Sequence, residues 1–274
     1  VTRIDLHLHS SASDGQLRPA ELVESARQRQ LNAIALTDHD TTDGIAEARA
    51  AAQGFPVIVP AIELTAADAR GEIHILGYYI QAEHPVLQAA LQRRQVERVT
   101  RARRMVARLG ELGAALDWTQ VEALVGGGTV GRPHIARALR QAGYVDSVND
   151  AFDRYLGDGR PAYIPHAEFP AEAAIDLIHQ AGGAAVLAHP GLRQDYAALI
   201  ERLAAAGLDG VEAHHPGHSA TVRANLRGMA ACFKLVVTGG SDFHRPGDPM
   251  GSEHPPPTCL RDLRARAMGF QTEA

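Results

Sequence analysis

The 274-residue chain has only two cysteines, Cys232 and Cys259. Two isolated thiols make neither a disulfide framework nor a thiolate metal motif, so a reducing, cytoplasmic setting is expected. No apolar run approaches the ~18 residues of a membrane-spanning helix, and no basic stretch followed by a long apolar one follows Val1. A soluble protein with no membrane association is therefore expected. The formal net charge is only -5, so no bulk positive field argues for long nucleic acid or an anionic lipid surface. Several catalytic signatures are missing as well: there is no Gly-x-Ser-x-Gly elbow, Walker loop or dinucleotide fingerprint. Gly126-Gly127-Gly128 lacks the lysine of a phosphate-cradling loop and reads as a hinge or turn.

What the chain has is histidine in chemically suggestive places. It opens Arg3-Ile4-Asp5-Leu6-His7-Leu8-His9, with Asp14 close behind. On an extended segment side chains alternate with period two, so His7 and His9 project the same way while Ile4, Leu6 and Leu8 face a core. Later come Thr37-Asp38-His39-Asp40, Glu63, Glu72-Ile73-His74, Ala188-His189-Pro190, His214-His215-Pro216 and Gly240-Ser241-Asp242-Phe243-His244. Most follow a short apolar run, as strand ends converging on one centre would.

The pattern along the chain is β/α with an interruption. Strands are predicted at 3–8, 33–37, 56–62, 72–79, 184–188, 210–212 and 235–238, alternating at first with helices at 19–30 and 43–52. From about 84 to 165 the rhythm becomes helical, with segments at 85–109, 117–125, 133–141 and 147–156. The expected organisation is an α/β barrel in two parts, residues 1–83 and 166–274, with a small helical domain inserted at 84–165.

The chemistry of the donors points to metal. His7 and His9 offer imidazole nitrogens, Glu63 and Asp242 offer carboxylate oxygens, and His39, His74, His189 and His244 follow or end strand runs. Mixed nitrogen and oxygen ligation without thiolate suits manganese, zinc or iron. So many titratable groups at one barrel mouth need cations to compensate them, and a carboxylate such as Glu63 can bridge two ions. His84, His166, His179, His218 and His254 read as ordinary core or surface residues. Arg94, Arg98 and Arg101 share one helix face at i, i+4, i+7, which is either solvated or lines a cleft. Arg132 and His134 flank a proline suited to a helix start, where an anion could bind.

Taken in order, these motifs resemble the PHP family, named for polymerase-associated and histidinol-phosphatase domains. The resemblance covers residues 1–79 and 183–244. Together with Gly131-Arg132-Pro133-His134, it is greatest to phosphoesterases that take the 3′-phosphate from nucleoside 3′,5′-bisphosphates and whose relatives trim short RNA from its 5′ end. It implies a distorted (β/α)7 barrel with a trinuclear centre. His7, His9, Glu63 and Asp242 would hold the first ion, Glu63, His74 and His189 the second, and Asp14, His39 and His244 the third. Where some members have histidine this chain has Asp14, which favours manganese or magnesium there.

Manganese, two or three ions per chain, is the first expectation, with zinc, iron(II) and magnesium as alternatives. Asp40 or His215 would carry the leaving-group proton, Arg132, His134 and Arg101 would meet a remote phosphate, and Asp38 would orient a histidine ligand. His214 would sit behind the mouth. The expected partner is a small phosphorylated nucleotide or short RNA, with no obligate protein partner. The competing readings are histidinol phosphate or another small phosphomonoester, and an inactive metal-containing binding module.

Overall fold

The computed structural model describes residues 2–68 and 70–271. The apolar segments form one seven-stranded sheet whose spatial order follows the sequence: β1 (Ile4–Leu8), β2 (Ala33–Leu36), β3 (Val57–Asp68), β4 (Gly71–Tyr78), β5 (Ala184–Leu187), β6 (Gly210–His214) and β7 (Val236–Gly239). The sheet curls until its ends meet. His9 N–H donates to Phe243 O at 2.9 Å and Phe243 N–H to His7 O at 3.3 Å, making a nearly closed α/β barrel. Glycine at 240 permits the approach, because a Cβ there would collide with the backbone of His7.

The helices are α1 (Pro19–Gln28), α2 (Gly44–Ala52), α3 (Pro85–Glu111), α4 (Trp118–Val125), α5 (Arg132–Gln141), α6 (Val148–Ala151), α7 (Ala171–Gln180), α8 (Tyr196–Ala205), α9 (Ala220–Phe233) and α10 (Cys259–Gln271). A π-helical turn, Phe152–Leu156, extends α6. Inside the barrel, Ile4, Ala33, Val59, Tyr78, Ala184 and Val236 pack against Cys259 and Leu263 of α10, which closes one end of the interior. The buried Tyr78 hydroxyl donates to Leu6 O at 2.8 Å, so even this polar atom is satisfied.

β3 departs from expectation. The strand does not stop at Ile62 but runs on to Asp68 and pairs antiparallel with β4, which is itself antiparallel to β5. The cause is packing. Leu64 faces Ile75 and Ala66 faces Ile73 across the ladder, and all four are buried in one cluster with α7, so extending the hairpin removes more apolar surface from water. Glu63 and Thr65, on the alternate face, point the other way and line a cavity. Glu63 is therefore a mid-strand residue.

The helical segment has its own cluster, in which Met105, Leu109, Val121, Ile135, Leu139 and Leu156 pack together. α3 takes part in two cores: Leu87, Ala90 and Leu91 of its first turns belong to the cluster of α7 and β3, while Met105 and Leu109 belong to the helical cluster. Between them the arginine face is neither solvated nor unpaired. Arg94 Nε and Arg98 Nε each lie 2.6 Å from a different Asp40 oxygen, and Arg101 Nη2 lies 3.0 Å from Glu72 Oε1. Arg94 also donates to Thr65 O and stands 4.3 Å above the Phe169 ring.

Candidate metal centre and cavity

The strands and the loops after them bring eight titratable side chains together around Glu63. Its carboxylate lies 3.3 Å from His7 Nε2, 3.2 Å from His9 Nε2, 3.2 Å from His39 Nδ1, 2.9 Å from His74 Nδ1 and 3.3 Å from His189 Nε2. Asp242 Oδ1 is 3.3 Å from both His7 and His9, and Asp14 Oδ1 is 3.3 Å from His244 Nε2. The backbone turns sharply to deliver three groups of this region: Asp40, His189 and Asp242 adopt positive φ of 51°, 29° and 52°. Non-glycine residues pay local strain for that conformation, and surrounding structure must hold them there.

Four overlapping sets of donors could hold a divalent ion: His9, Asp14, His39 and His244; His7, His9 and Glu63; His7, His189 and Asp242; and His39, Glu63 and His74. In each set the donor atoms lie within 4.8 Å of one another. The fit of the residues to a metal rests on their nitrogens. Among the described residues, His9 Nδ1 and Nε2, His39 Nδ1 and His74 Nδ1 are buried without a hydrogen-bond partner, although carboxylate oxygens lie close. Lone pairs that converge without forming hydrogen bonds suit a shared cation.

The charge balance agrees. Burial alone would push the Glu63 carboxyl up, but the imidazoles of His39, His74 and His7 outweigh it and hold it well below the usual range. Burial lowers His39 to about 3, so it is the neutral imidazole a metal requires. For His244 burial is outweighed by Asp14 and Asp242, which raise it to about 10. A divalent ion would take over the work of that proton.

Beside these groups is a cavity of about 510 Å³. Its lining also includes Arg98, Arg101, Arg132 and His166, gathered around Glu72, whose Oε2 lies 3.9 Å from His74 Nε2. Glu72 is the hub of that group: it accepts from Arg132 Nη2 at 2.7 Å and Arg101 Nη2 at 3.0 Å, and lies 3.4 Å from His166 Nε2. Burial opposes its ionisation, but Arg132, His166, His74 and Arg101 outweigh burial and bring it down to about 2. Arg132 also holds Asp158 at 2.7 Å.

Four expectations need correcting. Asp40 is not placed as a proton donor: it is fully buried, does not line the cavity, and burial is outweighed by Arg98 and Arg94, which keep it ionised far below the usual range. His134 does not line the cavity. Its Nδ1 accepts from Gly131 N–H at 3.0 Å, which caps α5, and burial lowers it to about 4. His215 lies outside the cavity lining, with Nδ1 accepting from Gly217 N–H and Nε2 3.4 Å from Asp242 Oδ2, so it steadies Asp242. Asp38 orients no ring. It accepts from Ser10 N–H, Ser10 Oγ and Ser13 Oγ at 2.8, 2.7 and 2.6 Å, fixing the loop that carries Asp14.

Two residues escaped the sequence reading. His166, taken there as ordinary, lines the cavity between Glu72 and Glu97. Glu212 is completely buried and accepts from His7 Nδ1 at 3.0 Å and from His189 N–H at 2.8 Å. It therefore turns the His7 Nε2 lone pair toward Glu63 and Asp242. The available signal was its place in β6, where Val211 and Ala213 go to the outer cluster and the intervening carboxylate must face inward. Glu212→Ala should weaken metal affinity about 10- to 100-fold. A manganese titration of activity would show it as a higher midpoint, and an unchanged midpoint would refute the orienting role.

Comparison with known proteins adds an independent line. The PHP domain matches residues 5–102. The 3′,5′-nucleoside bisphosphate phosphatase of Chromobacterium violaceum is 37% identical over 98% of this chain and 99% of its own length. The 5′-3′ exoribonuclease Rnm of Escherichia coli is 38% identical over 88% of this chain and 85% of its own. Among solved structures, one from Bifidobacterium adolescentis described as a metal-dependent phosphoesterase superposes with a TM-score of 0.89 at 32% identity, covering 97% of this chain and 96% of that one. With its barrel, its converging histidines and carboxylates and this full-length similarity, the chain belongs to the PHP-domain family.

Proposed function

We propose that the protein is a metal-dependent phosphoesterase that removes the 3′-phosphate of nucleoside 3′,5′-bisphosphates and releases nucleotides from the 5′ end of short 5′-phosphorylated RNA. One observation carries this reading: a single cavity is lined both by the metal-suited donors and, beyond Glu72, by the guanidinium groups of Arg101 and Arg132. A substrate with two phosphates matches that division.

His7, His9, Asp14, His39, Glu63, His74, His189, Asp242 and His244 would hold two or three divalent ions, with manganese favoured by the mixture of nitrogen and oxygen donors. Such ions supply positive charge to the phosphoryl oxygens and generate a hydroxide nucleophile near neutral pH. The chain's own residues do the positioning. Glu212 and His215 fix His7 and Asp242, and the loop held by Asp38 fixes Asp14. Arg132 and Arg101 exchange part of their hold on Glu72 for the remote phosphate, a trade of one anion for another that leaves no buried cation uncompensated. The free thiols Cys232 and Cys259 suit a cytoplasmic setting, and among the described residues no helix is long and apolar enough to cross a membrane.

The test supplies metal-stripped protein with manganese and compares adenosine 3′,5′-bisphosphate, histidinol phosphate and an aryl phosphate. The expected products are 5′-AMP and phosphate, with far slower release from histidinol phosphate. Arg132→Ala should raise KM for the bisphosphate by about tenfold or more while barely changing that for the aryl phosphate. Fastest turnover of histidinol phosphate, or equal effects of Arg132→Ala on both esters, would overturn the assignment.

A further inference from the structure

A second cavity, of about 290 Å³, meets the first at the donor cluster. The two share Asp14, Pro133, Phe152 and His244, so they are neighbouring chambers divided by two barrel residues and two cap residues. A phosphomonoester carries one organic substituent on phosphorus and needs one chamber. A phosphodiester carries two. When the nucleophile attacks in line with the departing 3′-oxygen, the other ester oxygen projects sideways from the reaction axis, and its substituent needs a lateral outlet beside the metal donors.

The residues of the smaller chamber differ from those of the larger in one chemical respect. In the larger chamber Arg98, Arg101 and Arg132 are already matched to Asp40, Glu72 and Asp158. Arg137, in the smaller one, has no carboxylate partner among the described residues. It donates from Nη2 to the main-chain oxygen of Asp14 at 3.3 Å, and its Nε is buried without a partner. Arg245 also lines the chamber, beside Asp248, whose carboxylate accepts the backbone N–H groups of His244 and Arg245. The exposed amides of Gln16 and Asn149 complete the polar lining, and Phe152 offers a ring between the chambers.

We infer that this smaller chamber receives the nucleotide on the far side of the scissile phosphorus when the substrate is an RNA strand. The inference rests on the functional reading above and specifies how that site accommodates RNA. An unmatched guanidinium and a second arginine suit the next phosphate of a strand, and a single aromatic ring suits one base with little sequence preference. The reaction balances in the same way for both substrates. The hydroxide oxygen bonds to phosphorus, the P–O3′ bond breaks with its electron pair going to O3′, and O3′ takes a proton. The P–O5′ bond stays intact, so the downstream product leaves with a 5′-phosphate and is again a substrate.

The experiment compares kcat/KM for adenosine 3′,5′-bisphosphate with that for a 5′-phosphorylated diadenylate, at saturating manganese, in the wild type and two variants. Asn149→Trp fills the chamber from an exposed position of α6 that does not line the larger cavity. Arg137→Gln removes the unmatched charge. In each variant the diadenylate value should fall at least about tenfold relative to the bisphosphate value, and Arg137→Gln should also flatten the salt dependence of diadenylate cleavage. An unmoved ratio in both variants would overturn the inference while leaving bisphosphate hydrolysis standing. Wild-type protein that cleaved neither substrate would overturn both.

Discussion

Glu63→Gln should abolish turnover, lowering kcat by about a thousandfold or more, because one carboxylate serves two of the four donor sets. Five imidazoles lie within 3.3 Å of that group, and no other side chain in the cluster stands between as many. Glutamine has nearly the same shape, so packing around β3 is kept while the negative charge at the centre of the cluster is lost. The expected signature is a reduced metal-to-protein ratio by elemental analysis, alongside an unchanged far-ultraviolet circular dichroism spectrum. A variant that retained its full metal complement and turned over within about tenfold of wild type would remove Glu63 from the centre of the mechanism.

The second large effect is on stability. Arg98→Met should cost about 3 kcal/mol, because Asp40 is completely buried and would keep only Arg94 as a compensating cation. Asp40→Asn combined with Arg98→Met should cost much less than the sum of the single changes, since both halves of the pair leave together. Asparagine is the suitable replacement because position 40 has φ of 51°, which asparagine tolerates and branched residues do not. The sign with pH follows from the depressed carboxyl. Its stabilisation is present above the unfolded carboxylate range and is lost as pH falls toward the folded value. Denaturant unfolding of the three variants near neutral pH is the measurement, and strictly additive costs would show that the pair is not a coupled unit.

Much of this site was legible because its parts are local. His7-Leu8-His9 declares itself through strand periodicity, and Ser241-Asp242-Phe243-His244 through its place after an apolar run. Long-range partnership was not legible. Glu212 lies 205 residues from His7, and Asp40 lies 54 and 58 residues from its two arginines. Asp40 looked like a catalytic group because it stood beside His39, when its environment is set by a helix much further along the chain. His134 was a different miss. Its spacing from Gly131 is that of a side chain reaching back to the start of a helix, so a structural role was available to be read. The length of β3 was hidden because the facing apolar residues that extend it, Ile73 and Ile75, count only once the hairpin has formed.

The helical insertion invites treatment as a detachable part, and α3 argues against it. Cutting the chain at residue 84 and rejoining it near 165 would take away Leu87, Ala90 and Leu91, which cover α7 and β3, and would strip both cations from Asp40. The truncated barrel would present an oily patch and a bare buried charge, so it should aggregate rather than survive as a smaller enzyme. Exchange of caps between relatives has a better place to cut: after Arg101, where the helix has finished its business with the barrel and Ala102 begins the separate core of the cap.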